Sequence, residues 1–478
     1  RLFAFRLVGA QVTTSQEMAP FEFPNVPGFE WATELHSRLG MDYPQWGYTL
    51  FDAGIHGYTA VTISTLAPII YGQHAAINAA DNAADGKPSF RFFGGSDITA
   101  YWVFMVSTAS LIAGLCCPIF GTIADLYSLR KVLTYIFAAL SIVFLSLFAY
   151  VSDTVTIHWL LFYAGVSIVF SSLCHAFYNS LIVFVSESHD VVKVSCMQAC
   201  IGSLGAALLM VALGIHSTED PNRIFLLFAF SFAAIWFILL ALPMWFWVHE
   251  DPPTKQSTWQ EIMTSSYYDM THSLENMELI KFATSSLLVN DALATILSVY
   301  LVYGMQIGIP VHYLLIGAVY KRWIAAGAAL GWLGMSSYLS SRSSLMLGIV
   351  LGIIAIVLCA WMVSVTDFFV MCTFLTVSQC GCYIYQKVMM SDMTSKERAS
   401  HHFGFMSMAS RVAGFIGPFL FTVVSLAISD RAAFMALVFM ALAGLILLST
   451  VDIEKARKFA ESRPSGGGLP IDDGLKIG

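Results

Sequence analysis

The chain is 478 residues long; 57% of it belongs to the hydrophobic set, only 12% is charged, and the net charge is -7. Soluble domains carry roughly 25% charged residues, and no soluble core of this size could hide so much apolar surface, so a polytopic membrane protein is expected. The acidic balance and the lack of a basic stripe exclude a nucleic-acid partner.

The sequence opens on arginine rather than methionine, as expected of a processed or cut chain, through loss of an organellar targeting segment or at a simple boundary. Positions 1–46 hold no run long enough to span and read as a polar N-terminal segment. Apolar runs of about 20 residues, the length of a transmembrane helix, follow near Gly47–Tyr71, Ile98–Phe120, Val132–Val151, Ile157–Val185, Val194–Ile215 and Ile224–Val248. Positions 249–277 are polar and read as a linker. A second set lies near Glu278–Tyr303, His312–Ser336, Ser343–Ser364, Phe368–Met390, Phe403–Ile428 and Ala432–Val451, and positions 452–478 form a polar, partly Gly-rich tail. The expectation is an all-α membrane protein with twelve transmembrane helices in two six-helix halves, 47–248 and 278–451.

Loop charges predict the orientation. With the N-terminus inside, the inner loops hold Arg130, Lys131, Lys193, Lys255, Arg342, Lys387, Lys396, Arg398, Lys455, Arg457 and Lys458, and the outer loops only Lys87, Arg91, Arg223 and Arg431. This asymmetry places both termini on the cytoplasmic side or its topological equivalent. The nine cysteines, among them Cys196, Cys200, Cys380 and Cys382, sit almost entirely in apolar runs without metal-type spacing and read as packing residues. No Walker loop, nucleophile elbow or metal box is present, so no enzyme, cofactor or metal is expected.

Ionisable residues inside spans are functional or paired by default. Asp52 and His56 share a face of the first predicted helix and form a candidate proton-coupling pair, or Asp52 caps the helix near its inner end. In the seventh, Asp291, Thr295 and Ser298 form a stripe beside Asn290; Asp291 would recognise an ammonium group, or tie two helices together. Ser171, His175 and Asn179 form a polar stripe on the fourth that lines either the substrate path or a neighbouring helix, with Gln198, Ser378, Cys382 and Gln386 as weaker members. Lys321 and Arg322 stand about ten residues into the eighth and would hold a substrate anion. Alternatively that helix begins nearer Trp323 and the pair is interfacial. Two halves around a linker are the layout of a transporter built from parallel repeats, and Leu50-Phe51-Asp52 is echoed by Val289-Asn290-Asp291.

Particular stretches carry a family resemblance. Gly121-Thr-Ile-Ala-Asp125-Leu-Tyr-Ser-Leu-Arg130-Lys131 resembles the signature of the major facilitator superfamily, with Leu126, Ser128 and Leu129 where that family often has a basic residue, glycine and a basic residue. Trp46-Gly-Tyr-Thr-Leu-Phe-Asp52 with Tyr58, Phe177-Tyr178-Asn179-Ser180-Leu181, and Ser195 with Gly202-Ser-Leu-Gly205 resemble the autophagy-related protein 22-like, vacuolar amino-acid effluxer branch. So do Asn290-Asp291-Ala-Leu-Ala-Thr295-Ile296, and His402-Phe403-Gly404-Phe405 with Arg411 and Gly417-Pro418. Departures are Gly331-Trp-Leu-Gly334-Met-Ser-Ser-Tyr338, which lacks an acid, Tyr385-Gln386-Lys387 in place of Ser-Arg-Ser, and His401 in place of an acid.

The resemblance implies the major facilitator fold. It also implies a gating role for Gly121, which lets helices approach, and for Asp125 with Arg130 and Lys131, whose contacts would hold one face shut. The function expected is secondary-active transport of small organic solutes, amino acids foremost, by alternating access in an organelle membrane (vacuole, mitochondrion or plastid). The partners are then the solute and membrane lipid. The alternative is a transporter-derived accessory subunit with other membrane subunits around it.

Overall fold

The structure, a computed structural model, describes residues 40–67, 70–71, 98–151, 157–186, 190–215, 223–250, 276–393 and 416–461. The chain divides into two units, Arg1–Asp42 and Tyr43–Gly478, and the architecture below is that of the second. Positions 1–39 of the predicted N-terminal segment, most of the linker, His401 to Arg411 and the end of the tail lie outside the described residues, and the first described helix, Tyr43–Val61, takes in the last four positions of that segment.

Among the described residues there are helices and their connections, and no strand. In chain order the helices are α1 (Tyr43–Val61), α2 (Ile98–Tyr127), α3 (Arg130–Val151), α4 (Ile157–Ser180), α5 (Val191–Ala212), α6 (Arg223–Trp247) and α7 (Met277–Gln306). There follow α8 (Val311–Met335), α9 (Ser341–Ala360), α10 (Val365–Asp392), α11 (Ile416–Ala427), α12 (Asp430–Ser449) and α13 (Ile453–Glu461). A π-helical turn, Thr62–Leu66, continues α1; the Thr65 hydroxyl donates to the Ala60 carbonyl five residues back, which satisfies an acceptor that the wider turn leaves unevenly served.

Local chemistry sets the boundaries. Ser364 and Asp367 form a capping box at the start of α10, and the Ser340 and Ser429 side chains accept from the first turns of α9 and α12. Gly308, with φ +89°, turns the chain between α7 and α8. Between α2 and α3 the turn residue is Ser128, at φ +50°. That left-handed conformation costs a residue with a Cβ about 1–2 kcal/mol. Ser128→Gly should therefore raise stability by up to about 1 kcal/mol after the entropy of glycine in the unfolded chain is subtracted. Thermal unfolding in detergent checks this, and a lowered midpoint would contradict it.

α3 to α10 and α12 are the nine helices among the described residues that are long and apolar enough to cross a membrane. α1 falls short of that measure because it carries Gln45, Asp52, His56 and three tyrosines, yet it is buried along most of its length. Large apolar side chains face outward instead, as with Val143 on α3, Phe228 and Leu239 on α6, Ile354 on α9 and Phe439 on α12. Apolar outside and polar inside is the arrangement a lipid solvent requires.

Among the first six helices, α1 packs on α5 and α6, α3 on α4, and α2 on α4. Among the later ones, α7 packs on α11 and α12, α9 on α10 and α12, and α8 on α10. α5 joins the two sets through α8 and α10.

Candidate functional site

Three helices meet in a buried polar network at the α1–α5–α10 junction. α1 begins at Tyr43, so Asp52 lies about nine residues and 13 Å along the axis, deeper than the cap position considered from sequence. Its side chain is 0% exposed. Asp52 Oδ1 accepts from Gln198 Nε2 on α5 at 2.8 Å, and Gln198 Oε1 accepts from Lys387 Nζ on α10 at 2.6 Å. The amide orientation follows from its neighbours: the reverse flip would set NH2 against the ammonium and C=O against the carboxylate. Gln198 is thus a polar bridge between buried opposite charges. Lys387 Nζ also lies 3.6 Å from the centroid of the Tyr383 ring.

His56, one turn from Asp52 on α1, places Nε2 3.7 Å from Asp52 Oδ2 and keeps 26% of its side chain accessible. Its ring meets those of His175 on α4 at 5.9 Å and Tyr383 at 6.4 Å. Among ionisable neighbours, Lys387 and His175 act electrostatically on Asp52, and Arg322 and Lys387 act on His56. Tyr178 stacks on Tyr48 and Phe51 and closes this site from the α4 side. A mobile proton or a charged group near His56 would therefore be felt by both sets of helices.

α7 repeats part of the α1 arrangement. Asp52 Oδ1 is bonded to Gln198, while a Cβ on Gly202 of α5 would run into the unbonded Oδ2. Asp291 Oδ2 accepts from the Gly417 N–H of α11 at 2.5 Å, and a Cβ on Gly417 would stand 2.9 Å from the unbonded Oδ1. Each carboxyl on a first or seventh helix thus rests on a glycine four helices later. Thr295 Oγ1 donates to the Asp291 carbonyl at 2.7 Å. Asn290 and Gln386 exchange amide hydrogen bonds of 3.0 and 3.1 Å, which joins α7 to α10. The Ser298 side chain lies outside the described residues.

α8 begins at Val311, so Lys321 and Arg322 lie about ten residues and 15 Å into it. The interfacial alternative is thereby corrected. Both are half-buried, and Lys321 Nζ lies 4.6 Å from the centroid of the Tyr300 ring on α7. Among the described residues neither forms an ion pair with Asp291. Asn179 is half-buried on α4, with Oδ1 unbonded among the described residues.

Towards the end of α2, Gly121 is buried, while the Asp125 side chain lies outside the described residues. Arg130 and Lys131 have a further partner that the sequence pattern missed. Glu250, just past α6, accepts from the backbone N–H of both, at 3.1 and 2.5 Å, and lies 3.5 Å from Arg130 Nη1. Lys131 Nζ in turn donates to the Trp245 and Val248 carbonyls. Each helix end thereby receives the charge its dipole favours. Burial pushes the Glu250 carboxyl above its ordinary range, and the Lys131 N–H bond and the Arg130 charge pull it back. These contacts fasten α3 to α6 within one set of helices.

The main revision concerns Lys387. Sequence counted it among the inner-loop charges, but it is inside α10 and 6% exposed. The signals available were its i+4 spacing from Tyr383 and the apolar residues that continue to Met390.

Comparison with known proteins agrees with this architecture. The family described as "Vacuole effluxer Atg22 like" matches residues 184–461. An "uncharacterized MFS-type transporter YxiO" of Bacillus subtilis (strain 168) is 23% identical over 431 residues, which cover 87% of this chain and 96% of that protein. The human organic anion transporter MFSD10 (TETRAN) superposes with a TM-score of 0.63 at 13% identity, over 85% of this chain and 99% of that one. The proton:xylose symporter XylE also gives 0.63, at 12% identity over 88% and 97%. These two structures establish a major facilitator fold.

Proposed function

The chain belongs to the vacuole effluxer Atg22-like family of the major facilitator superfamily, and from that premise we propose a secondary-active carrier of small organic solutes, with amino acids as the leading class. Two six-helix halves, 47–248 and 278–451, rock about the interior between them. The observation that supports this best is the Asp52–Gln198–Lys387 network, because it links α1 and α5 to α10 through atoms that must separate when the halves part. A bonded, buried network favours one state, and a proton or solute that competes for it shifts the balance.

Asp52 and His56 carry the coupling proton in this reading. His175, Asn179, Lys321 and Arg322 contribute to solute binding, while Asp291, Asn290 and Thr295 shape the α7 side. The end of α2 with Gly121 and Asp125, and the start of α3 with Arg130 and Lys131, take part in gating, the latter two by keeping α3 and α6 together as a half moves. The family's vacuolar description supports an organelle membrane as the site of action.

Reconstitution into proteoliposomes with a panel of labelled amino acids tests the carrier reading. Accumulation driven by a pH gradient is expected. His56→Ala should reduce that accumulation at least ten-fold while counterflow exchange at equal pH persists. Equal loss of both activities in a folded variant would argue against proton coupling by this pair, and no uptake or exchange by the unmodified protein would sink the carrier reading.

A further inference from the structure

We propose that the transported solute is a small carboxylate of net negative charge, held by Lys321 and Arg322, so that acidic amino acids and dicarboxylates are preferred over neutral zwitterions. This rests on the carrier reading and narrows its substrate class. Lys321 and Arg322 stand midway along α8, and Trp323 beside them is 46% exposed on the outward side. Successive residues are turned about 100° from one another, so Trp323 can meet lipid while the pair keeps to the interior. Both side chains are half-buried.

Their surroundings among the described residues do not neutralise them. Among the described residues no ion pair includes Lys321 or Arg322. Lys321 has a tyrosine ring as its closest cation partner, and Tyr300 and Cys372 are the titratable groups that face the pair from α7 and α10. The third cation, Lys387, is matched to Asp52 through Gln198. Two positive charges thus remain at membrane depth without an anion among the described residues, where an unpaired charge is costly and marks a ligand or ion path. Guanidinium is suited to bidentate capture of a carboxylate, and the adjacent ammonium supplies a second point charge.

A neutral amino acid would need a carboxylate for its ammonium group as well, and neither candidate is open. Asp291 is 1% exposed and held by Gly417, and Asp52 is 0% exposed beneath His56. An anionic solute satisfies the two cations and requires neither acid. Negative charge is therefore the chemistry this interior rewards.

Thermal-shift titration of the purified full chain with succinate, L-glutamate and L-leucine, at matched ionic strength, distinguishes the possibilities. Succinate and L-glutamate should stabilise at concentrations where L-leucine does not. Arg322→Gln and Lys321→Gln should each weaken succinate binding about ten- to a hundred-fold, the effect of losing one charged hydrogen bond. Arg322→Lys should retain more affinity than Arg322→Gln. Because the cations have no ion pair among the described residues, their neutral variants should unfold no earlier than the unmodified protein without ligand. Earlier unfolding would assign the pair a structural role and overturn the proposal. L-leucine stabilising as strongly as succinate would overturn it while leaving the carrier reading intact, as would unchanged succinate binding in the double Lys321→Gln, Arg322→Gln variant. No response to any of the three, together with no transport in liposomes, would overturn both.

Discussion

Lys387→Met should lower the unfolding free energy by about 3–5 kcal/mol, because it removes one partner of a buried charge pair and leaves the other uncompensated. The ammonium holds Gln198 Oε1 at 2.6 Å, and Gln198 Nε2 holds Asp52 Oδ1 at 2.8 Å. Without the lysine, the carboxylate keeps its desolvation penalty and loses the charge that offsets it. Asp52 can escape only by taking up a proton. The second replacement should therefore rescue the first: Asp52→Asn with Lys387→Met is expected to recover at least half of the loss. A double-mutant cycle by denaturant unfolding in detergent gives the coupling. A coupling near zero would mean that Gln198 does not transmit an interaction between the two charges, and the network would lose its place in the proposed transport cycle.

Gly205→Ala should destabilise by about 1–3 kcal/mol, the usual cost of forcing extra volume into a close-packed site. α5 crosses α1 there so closely that an added Cβ would lie 2.7 Å from Ala53 Cβ, 2.9 Å from its carbonyl oxygen and 3.0 Å from its Cα. Two of those atoms are backbone, so relief requires a shift of the whole helix. Gly327→Ala on α8 is the control, since nothing lies within 4 Å of its added Cβ. Alanine is also the better helix former by about 1 kcal/mol. Equal behaviour of the two variants would contradict close α1–α5 packing as a determinant of stability. The Gly205 variant should also impair any motion in which α1 slides against α5, so its transport rate and its stability should fall together.

Much of the fold was legible from one-dimensional pattern. Apolar runs of membrane length are local, and each predicted span has a described helix on it, although nine are apolar and long enough to qualify on their own. The Asp52 and Asp291 echo was also readable, because Leu50-Phe51-Asp52 and Val289-Asn290-Asp291 stand in the first and seventh predicted spans. Ser128 was visible as a departure from glycine, and its positive φ supplies the physical reason glycine would suit that turn.

Partnership between distant helices was not legible, since helical periodicity says which residues share a face but not what that face meets. Lys387 therefore passed as a loop charge, although α10 extends past it to Asp392 and turns it onto α5. Glu250 passed as linker polarity, although it caps the start of α3 120 residues earlier in the chain. Gln198 was only a weak member of a polar stripe until its two amide ends were placed between opposite charges. For this protein, composition and hydrophobic runs by themselves determined the membrane class and the helices, and particular motifs carried the family resemblance. The tertiary structure alone decided which buried charges are answered by the protein and which, like Lys321 and Arg322, have no partnered carboxylate among the described residues, because neutralisation inside a membrane depends on distances of a few ångströms between segments far apart in sequence.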